Sequence, residues 1–138
     1  MTARDDAPPS GAAAPAPTGA AAPPALGRGT VAWADLAPAR GREQDGHRPV
    51  LVVSSRQYLE TVTTMVVVLP VTAADRGWSN HVPLRGRVGL GRPSWAMTEQ
   101  PRTIARERLS RVVGLVDDAT LHDVDSWLRD LLGLVPDS

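Results

Sequence analysis

Met65-Val66-Val67-Val68-Leu69-Pro70-Val71-Thr72 decides the fold. Met65 to Leu69 is a continuous apolar run. A strand of that kind is covered on both faces and lies centrally in a sheet. Pro70 cannot donate to a ladder, so pairing is expected to finish near it. On the N-terminal side, Arg48-Pro49-Val50-Leu51-Val52-Val53 reads as a second strand. Before it, Val31, Trp33 and Asp35 alternate with Ala32, Ala34 and Leu36, which predicts a first strand over 30–36. Ala37 to His47 is polar and carries Pro38, Gly41 and Gly46. It reads as a long loop, and long loops in compact domains are often functional.

On the C-terminal side, Ala73 to Ser79 is a second polar loop, and His81-Val82-Pro83-Leu84 a short edge strand. Arg85 to Pro93 is rich in Gly and Arg and reads as a loop. Ser94 to Gln100 reads as a strand, Ile104 to Leu109 as one helical turn, and Arg111 to Val116 as a last strand. Asp117 is a good N-cap, and Asp118 suits the helix dipole. Leu121, Val124, Leu128, Leu131 and Leu132 then form one apolar stripe, extended by Trp127, with Gly133 at the stop. Five or six short strands and a terminal amphipathic helix predict a small barrel or curled sheet, capped by the helix.

Met1 to Ala25 is nearly all Ala, Pro, Gly and Thr. It carries too little apolar surface to offset ordering, so residues 1–26 are expected to be a disordered tail and 27–138 the folded domain. Acids after Arg4 and repeated prolines argue against an export signal. No run of about 18 apolar residues exists to span a membrane. There are no cysteines, so disulfides and thiolate zinc sites are excluded, which fits a cytoplasmic protein. The formal net charge is zero, and all 15 basic residues are Arg. The Arg residues cluster in the body, whereas the segment from Asp117 is acidic. Arg suits bidentate contacts to phosphate.

Most familiar motifs are missing. Gly86-Arg87-Val88-Gly89-Leu90-Gly91 fits neither a Walker nor a dinucleotide pattern. His47, His81 and His122 have no ligand-like spacing, so no metal is expected. There is no Gly-x-Ser-x-Gly elbow. What remains is Arg, Thr, Glu and Gln at strand ends. If the second and third strands pair as a hairpin, Arg48 and Thr72 become neighbours on one rim. Glu43, Gln44, Glu99, Gln100 and Arg102 could reach that rim. Such a set has the parts for phosphoryl transfer without metal. Trp33 and Trp95 read as core residues, and Trp78 as a residue able to stack on a base.

Four segments in order carry a resemblance. They are Arg28-Gly29-Thr30-Val31-Ala32-Trp33-Ala34-Asp35-Leu36-Ala37-Pro38, Gly41-Arg42-Glu43-Gln44 followed by Arg48-Pro49-Val50-Leu51-Val52-Val53, Pro70-Val71-Thr72, and Glu99-Gln100-Pro101-Arg102-Thr103-Ile104. With the Arg108-Leu109 turn and the final helix, the chain resembles the MazF/PemK family of toxin–antitoxin endoribonucleases over nearly all of Arg28 to Leu134. The resemblance implies a mainly β fold, an SH3-like barrel of about five to seven strands with a C-terminal helix. It implies a homodimer, a cognate antitoxin, and operator DNA bound through the antitoxin complex. It also implies metal-independent, sequence-selective cutting of single-stranded RNA, without a cofactor, to 2′,3′-cyclic phosphate and 5′-hydroxyl ends.

The catalytic Arg and Thr of MazF-like members fall on Arg48 and Thr72. The His, Arg and Asp used in the PemK-like branch fall on Arg42, Met97 and Glu99, which favours the Arg/Thr version. Glu43 and Glu99 are then the candidate acid/base residues, and Arg42, Gln44, Trp78, Gln100 and Arg102 the candidate RNA contacts. A non-cleaving protein on the same fold is the alternative, either a CcdB-like gyrase poison or a relic that binds only its antitoxin. Glu43-Gln44, Arg48-Pro49 and Glu99-Gln100-Pro101-Arg102 occurring together favour the nuclease.

Overall fold

The computed structural model describes residues 26–36 and 46–134. Residues 1–25, 37–45 and 135–138 lie outside that range, and with them most of the expected tail and of the first expected loop; Leu26, placed in that tail by the sequence, instead packs half-buried against the core. Eight strands are hydrogen-bonded in one curled antiparallel sheet. They are β1 (Thr30–Asp35), β2 (His47–Val52), β3 (Met65–Thr72), β4 (His81–Pro83), β5 (Gly86–Arg87), β6 (Trp95–Met97), β7 (Arg102–Ala105) and β8 (Leu109–Val116). Helix α1 (Arg56–Thr61) follows β2, and helix α2 (Asp118–Leu132) ends the fold.

The order along the sheet is β4-β6-β3-β2-β1-β8-β5, with β7 also on β3. The two end strands, β4 and β5, are joined only by Leu84 and Arg85. Such a link spans about 10 Å at most. The sheet must therefore curl until its ends nearly meet, which gives the expected barrel-like shape.

Alternation along the central strands divides the core. Val31, Leu51, Leu69 and Val71 point into one cluster, which Val124 of α2 completes and against which Leu121, Trp127 and Leu128 pack. Ala34, Val50, Val52, Val66 and Val68 point to the other side, where Leu59 of α1 and Ile104 cover them. β3 is thus covered on both faces, as its apolar run predicts.

Pairing does not finish at Pro70. β3 continues to Thr72, and Pro70 pairs with Val50 on the β2 edge. On the other edge, β3 changes partner from β7, at Met65 to Val68, to β6, at Val71 and Thr72. The proline falls in that gap, where no N–H is needed. Half of the turn expected over Ile104 to Leu109 is present, as a 3-10 turn at Arg106–Arg108; Ile104 and Ala105 belong instead to β7, which pairs with β3, and Leu109 opens β8. β6 is shorter than its expected strand. β5 lies in the expected Gly/Arg loop.

The glycines of that loop have a structural use. A Cβ on Gly89 would lie 2.1 Å from the Val113 carbonyl oxygen, and one on Gly114 would lie 2.2 Å from that of Arg87. Bare backbone is what lets this loop pass over β8. Helix α2 starts as predicted. Asp117 Oδ1 accepts from the Thr120 amide at 2.9 Å and from its hydroxyl at 2.7 Å. Gly133 stops it in the left-handed conformation, φ 71°. The stripe is not all core: Leu131 and Leu132 are exposed, as is Leu134 beyond the helix.

Candidate active site

β2 begins and β3 ends at the same end of the sheet. The ladder pairs Val52 with Val68, Leu51 with Leu69 and Val50 with Pro70. Carried on by two residues, the same register sets Arg48 across from Thr72. Both positions share the face of Val50, Val52, Val66 and Val68, because side chains alternate along a strand. Arg48 is half-buried, and its strand places it opposite Ala34 of β1. Thr72 is 5% exposed. Its Oγ1 accepts from the Ala74 amide at 3.1 Å. That bond occupies a lone pair and leaves the hydroxyl proton to donate elsewhere.

Arg42, Glu43 and Gln44 lie outside the described residues. The ends of their loop are placed, however. The Leu36 amide donates to the Gly46 carbonyl at 2.9 Å, and Asp35 pairs with His47. Trp33 is half-buried rather than core, and its ring stacks on that of His47 with centroids 5.2 Å apart. Trp95 is also only half-buried.

A second group forms one and two strands away, where β6 pairs with both β3 and β4. Glu99 follows β6 in a turn. Its Oε1 accepts from Asn80 Nδ2 at 2.9 Å and from His81 Nε2 at 3.1 Å, and its Oε2 accepts from Gln100 Nε2 at 3.2 Å. His81 Nε2 is also 3.2 Å from Oε2, so it straddles the carboxylate. Burial works against ionisation of Glu99. Its own backbone amide and the bonds from His81 and Gln100 outweigh this and hold it below the usual carboxylate range.

His81 is buried, and its Nδ1 has no hydrogen-bond partner. A proton there would be a buried, unsatisfied donor, so the ring proton is assigned to Nε2, facing Glu99. The 51%-exposed Trp78 leans on the imidazole, with centroids 4.8 Å apart and planes tilted by 48°. Arg102 of β7 is half-buried and sits opposite Val68.

The structure therefore gathers the predicted residues into two groups. Arg48 near the start of β2 and Thr72 at the end of β3 lie at the same end of the sheet; Trp78 and Glu99 contact His81, and Gln100 bonds to Glu99. The reading of the sequence missed His81. Its spacing suggests no metal site, and nothing local marks it as a carboxylate partner 18 residues from Glu99. Among the described residues no group of three or more His, Asp or Glu side chains could hold a metal ion. No described helix is long and apolar enough to cross a membrane.

A family model described as a PemK-like, MazF-like toxin of type II toxin–antitoxin systems matches residues 27–132. Endoribonuclease EndoA of Bacillus subtilis is 34% identical over 112 residues, which cover 78% of this chain and 95% of that protein. The crystal structure of MazF from Deinococcus radiodurans superposes with a TM-score of 0.69 at 29% identity, covering 79% of this chain and 97% of that one. A mycobacterial endoribonuclease in complex with its cognate antitoxin superposes with a TM-score of 0.67 at 25% identity, covering 82% and 100%.

Proposed function

Because the chain belongs to the PemK-like, MazF-like family of type II toxins, we propose that it is an endoribonuclease toxin that cuts single-stranded RNA with Arg48 and Thr72. The observation that supports this reading is the β2–β3 register, which ends at Val50–Pro70 and, continued by two residues, would bring Arg48 and Thr72 to the same end of the sheet on one face. An RNA 2′-oxygen attacks the adjacent phosphorus, the P–O5′ bond breaks, and a 2′,3′-cyclic phosphate and a 5′-hydroxyl result. Negative charge builds on the non-bridging oxygens as the new bond forms. Arg48 meets that charge with two parallel N–H donors. Thr72 adds its hydroxyl proton, the lone pair toward Ala74 being occupied. The work assigned to Arg48 is electrostatic, since a guanidinium keeps its charge and its forked donors suit a phosphate.

Two carboxylates are candidates to take the 2′-hydroxyl proton, Glu43 and Glu99. Glu99 is a weakened base as placed, since the groups around it favour its charged form. Arg42, Gln44, Trp78, Gln100 and Arg102 are the proposed RNA contacts. Base stacking on an aromatic such as Trp78 is worth roughly 1–3 kcal/mol.

The mycobacterial relative bound to its cognate antitoxin supports the same partner type here. We extend the reading to a homodimer in the cytoplasm that reaches operator DNA through the antitoxin complex. The test is to incubate purified protein with a long single-stranded RNA in EDTA, beside Arg48→Ala. Cutting by wild type alone is expected. Intact RNA with wild type, or equal cutting by the variant, refutes the proposal.

A further inference from the structure

Strand pairing carries the end of the sheet that holds Thr72 onward to an indole. Trp95 of β6 pairs with Thr72 of β3 on one side and with Pro83 of β4 on the other. Residues directly opposite in an antiparallel pair share a face, with Cβ atoms about 4.5–5.5 Å apart. In the adjacent row, Val71 pairs with Ala96 and Ala96 with Val82, and all three turn into the core cluster that α2 completes. Thr72, Trp95 and Pro83 therefore turn to the opposite face. That is the face of Val50, Val52 and Val68, which Arg48 shares by alternation along β2. Arg102, opposite Val68, lies on it too. So does His81, which pairs with Met97, two residues from Trp95. Trp95 thus stands between the two groups of site residues. Thr72 is 5% exposed and lies low between its neighbours, whereas Trp95 is half-buried and keeps part of its surface in solvent.

We propose that Trp95 is a stacking surface for one of the two RNA bases that flank the phosphate held by Arg48 and Thr72. The proposal rests on the reading of the chain as an RNA-cutting toxin and adds a substrate contact to it. The reason is geometric. Attack needs the 2′-oxygen, the phosphorus and the 5′-oxygen close to one line. Two bases stacked on each other hold their sugar–phosphate link away from that line. The flanking bases must part, and a base that leaves its neighbour loses stacking energy. An indole one strand from Thr72 replaces the lost contact. Every base has a π-face, so the contact tolerates any base at that position. Arg48 and Arg102 put positive charge on the same face, which suits the backbone of the same RNA strand.

The experiment has two arms, both on the full chain. In the first, Arg48→Ala protein, alone and with Trp95→Leu or Trp95→Phe, binds a short unstructured RNA. It also binds the same strand made wholly of abasic ribose phosphate. Trp95→Leu is expected to weaken binding of the intact RNA by roughly 5- to 150-fold, with little change for the abasic strand. Trp95→Phe, which keeps a flat ring, loses less. In the second arm, wild type and Trp95→Leu cut a defined RNA in EDTA, with one abasic residue placed at each position in turn. An abasic residue beside the cut phosphate is expected to slow wild type. It adds little in Trp95→Leu, because the contact it removes is already gone.

Unchanged binding of the intact RNA by Trp95→Leu overturns the proposal. So does an equal loss toward intact and abasic strands, which would make Trp95 scaffold around Thr72. Full additivity of Trp95→Leu with every flanking abasic residue does the same. If wild type leaves the RNA whole while the first arm shows the expected loss, the nuclease reading fails and the stacking contact survives. If wild type cuts and Trp95→Leu shows no base-dependent loss, the nuclease reading stands and the stacking contact is refuted.

Discussion

Thr72→Val replaces one buried hydroxyl by a methyl of nearly the same size. Thr72 is 5% exposed, so valine fills the same space. Two things are lost. The first is the acceptor for the Ala74 amide. Ala74 is exposed, so water can satisfy that N–H, and the cost belongs at the low end of about 0.5–1.5 kcal/mol. For a domain of this size that is a fall in melting temperature of roughly 2–5 °C. The second is a donor to the developing phosphorane charge. Removal of one such donor typically slows the chemical step by about 10²–10³, or roughly 2.7–4 kcal/mol of transition-state stabilisation. The rate effect thus exceeds the stability effect severalfold, and a folded but slow enzyme is the expected outcome. The assay is single-turnover cleavage of a defined RNA in EDTA, beside a thermal melt of each variant. Thr72→Ser keeps the hydroxyl and loses one methyl, about 0.8 kcal/mol of burial, and should cut at near wild-type rate. A Val variant as fast as wild type, or a Ser variant as slow as Val, refutes the donor role.

The fold makes further predictions. Val124 is fully buried between α2 and the barrel, so Val124→Ala should cost about 2 kcal/mol in urea unfolding. Gly114→Ala would set a Cβ 2.2 Å from the Arg87 carbonyl oxygen and should cost about 3 kcal/mol in the same measurement, by forcing β5 off β8. Arg106 donates to the Leu59, Val62 and Met65 carbonyls, so Arg106→Ala should speed amide exchange in α1 more than in β1 or β2. Glu99 is held below the usual carboxylate range in the fold, so its bonds stabilise fully above that range and are lost as pH falls through the lowered value. Melting temperatures of wild type and Glu99→Gln should accordingly differ at pH 7 and converge in acid.

Much of this architecture was legible in the residues, and the parts that were not have physical reasons. Met65 to Leu69 announced a strand buried on both faces, because only a central strand can afford apolar residues at consecutive positions. Asp117 and Gly133 marked the ends of α2 by capping chemistry alone. Helix α1 went unread because six residues are too few to show a period. Ile104 and Ala105 looked like part of a turn because the strand identity of β7 comes from β3 beside it, not from its own alternation. Leu131 and Leu132 follow the apolar stripe yet face solvent, since periodicity gives a face and not what covers it. At the site, the placing of Arg48 and Thr72 at one end of the sheet follows from one antiparallel hairpin. The grouping of His81 with Glu99 could not be foreseen, because it depends on β6 lying between β3 and β4, which no local pattern specifies.

The central claim is that Arg48 carries phosphoryl transfer in an RNA-cutting toxin. The most direct measurement is the cleavage rate of a single-stranded RNA in EDTA by wild type and Arg48→Ala, with the product ends identified. The account predicts 2′,3′-cyclic phosphate and 5′-hydroxyl ends from wild type, and a rate lower by about 10²–10³ in the variant. Products with 3′-hydroxyl and 5′-phosphate ends, or a variant as fast as wild type, would contradict it.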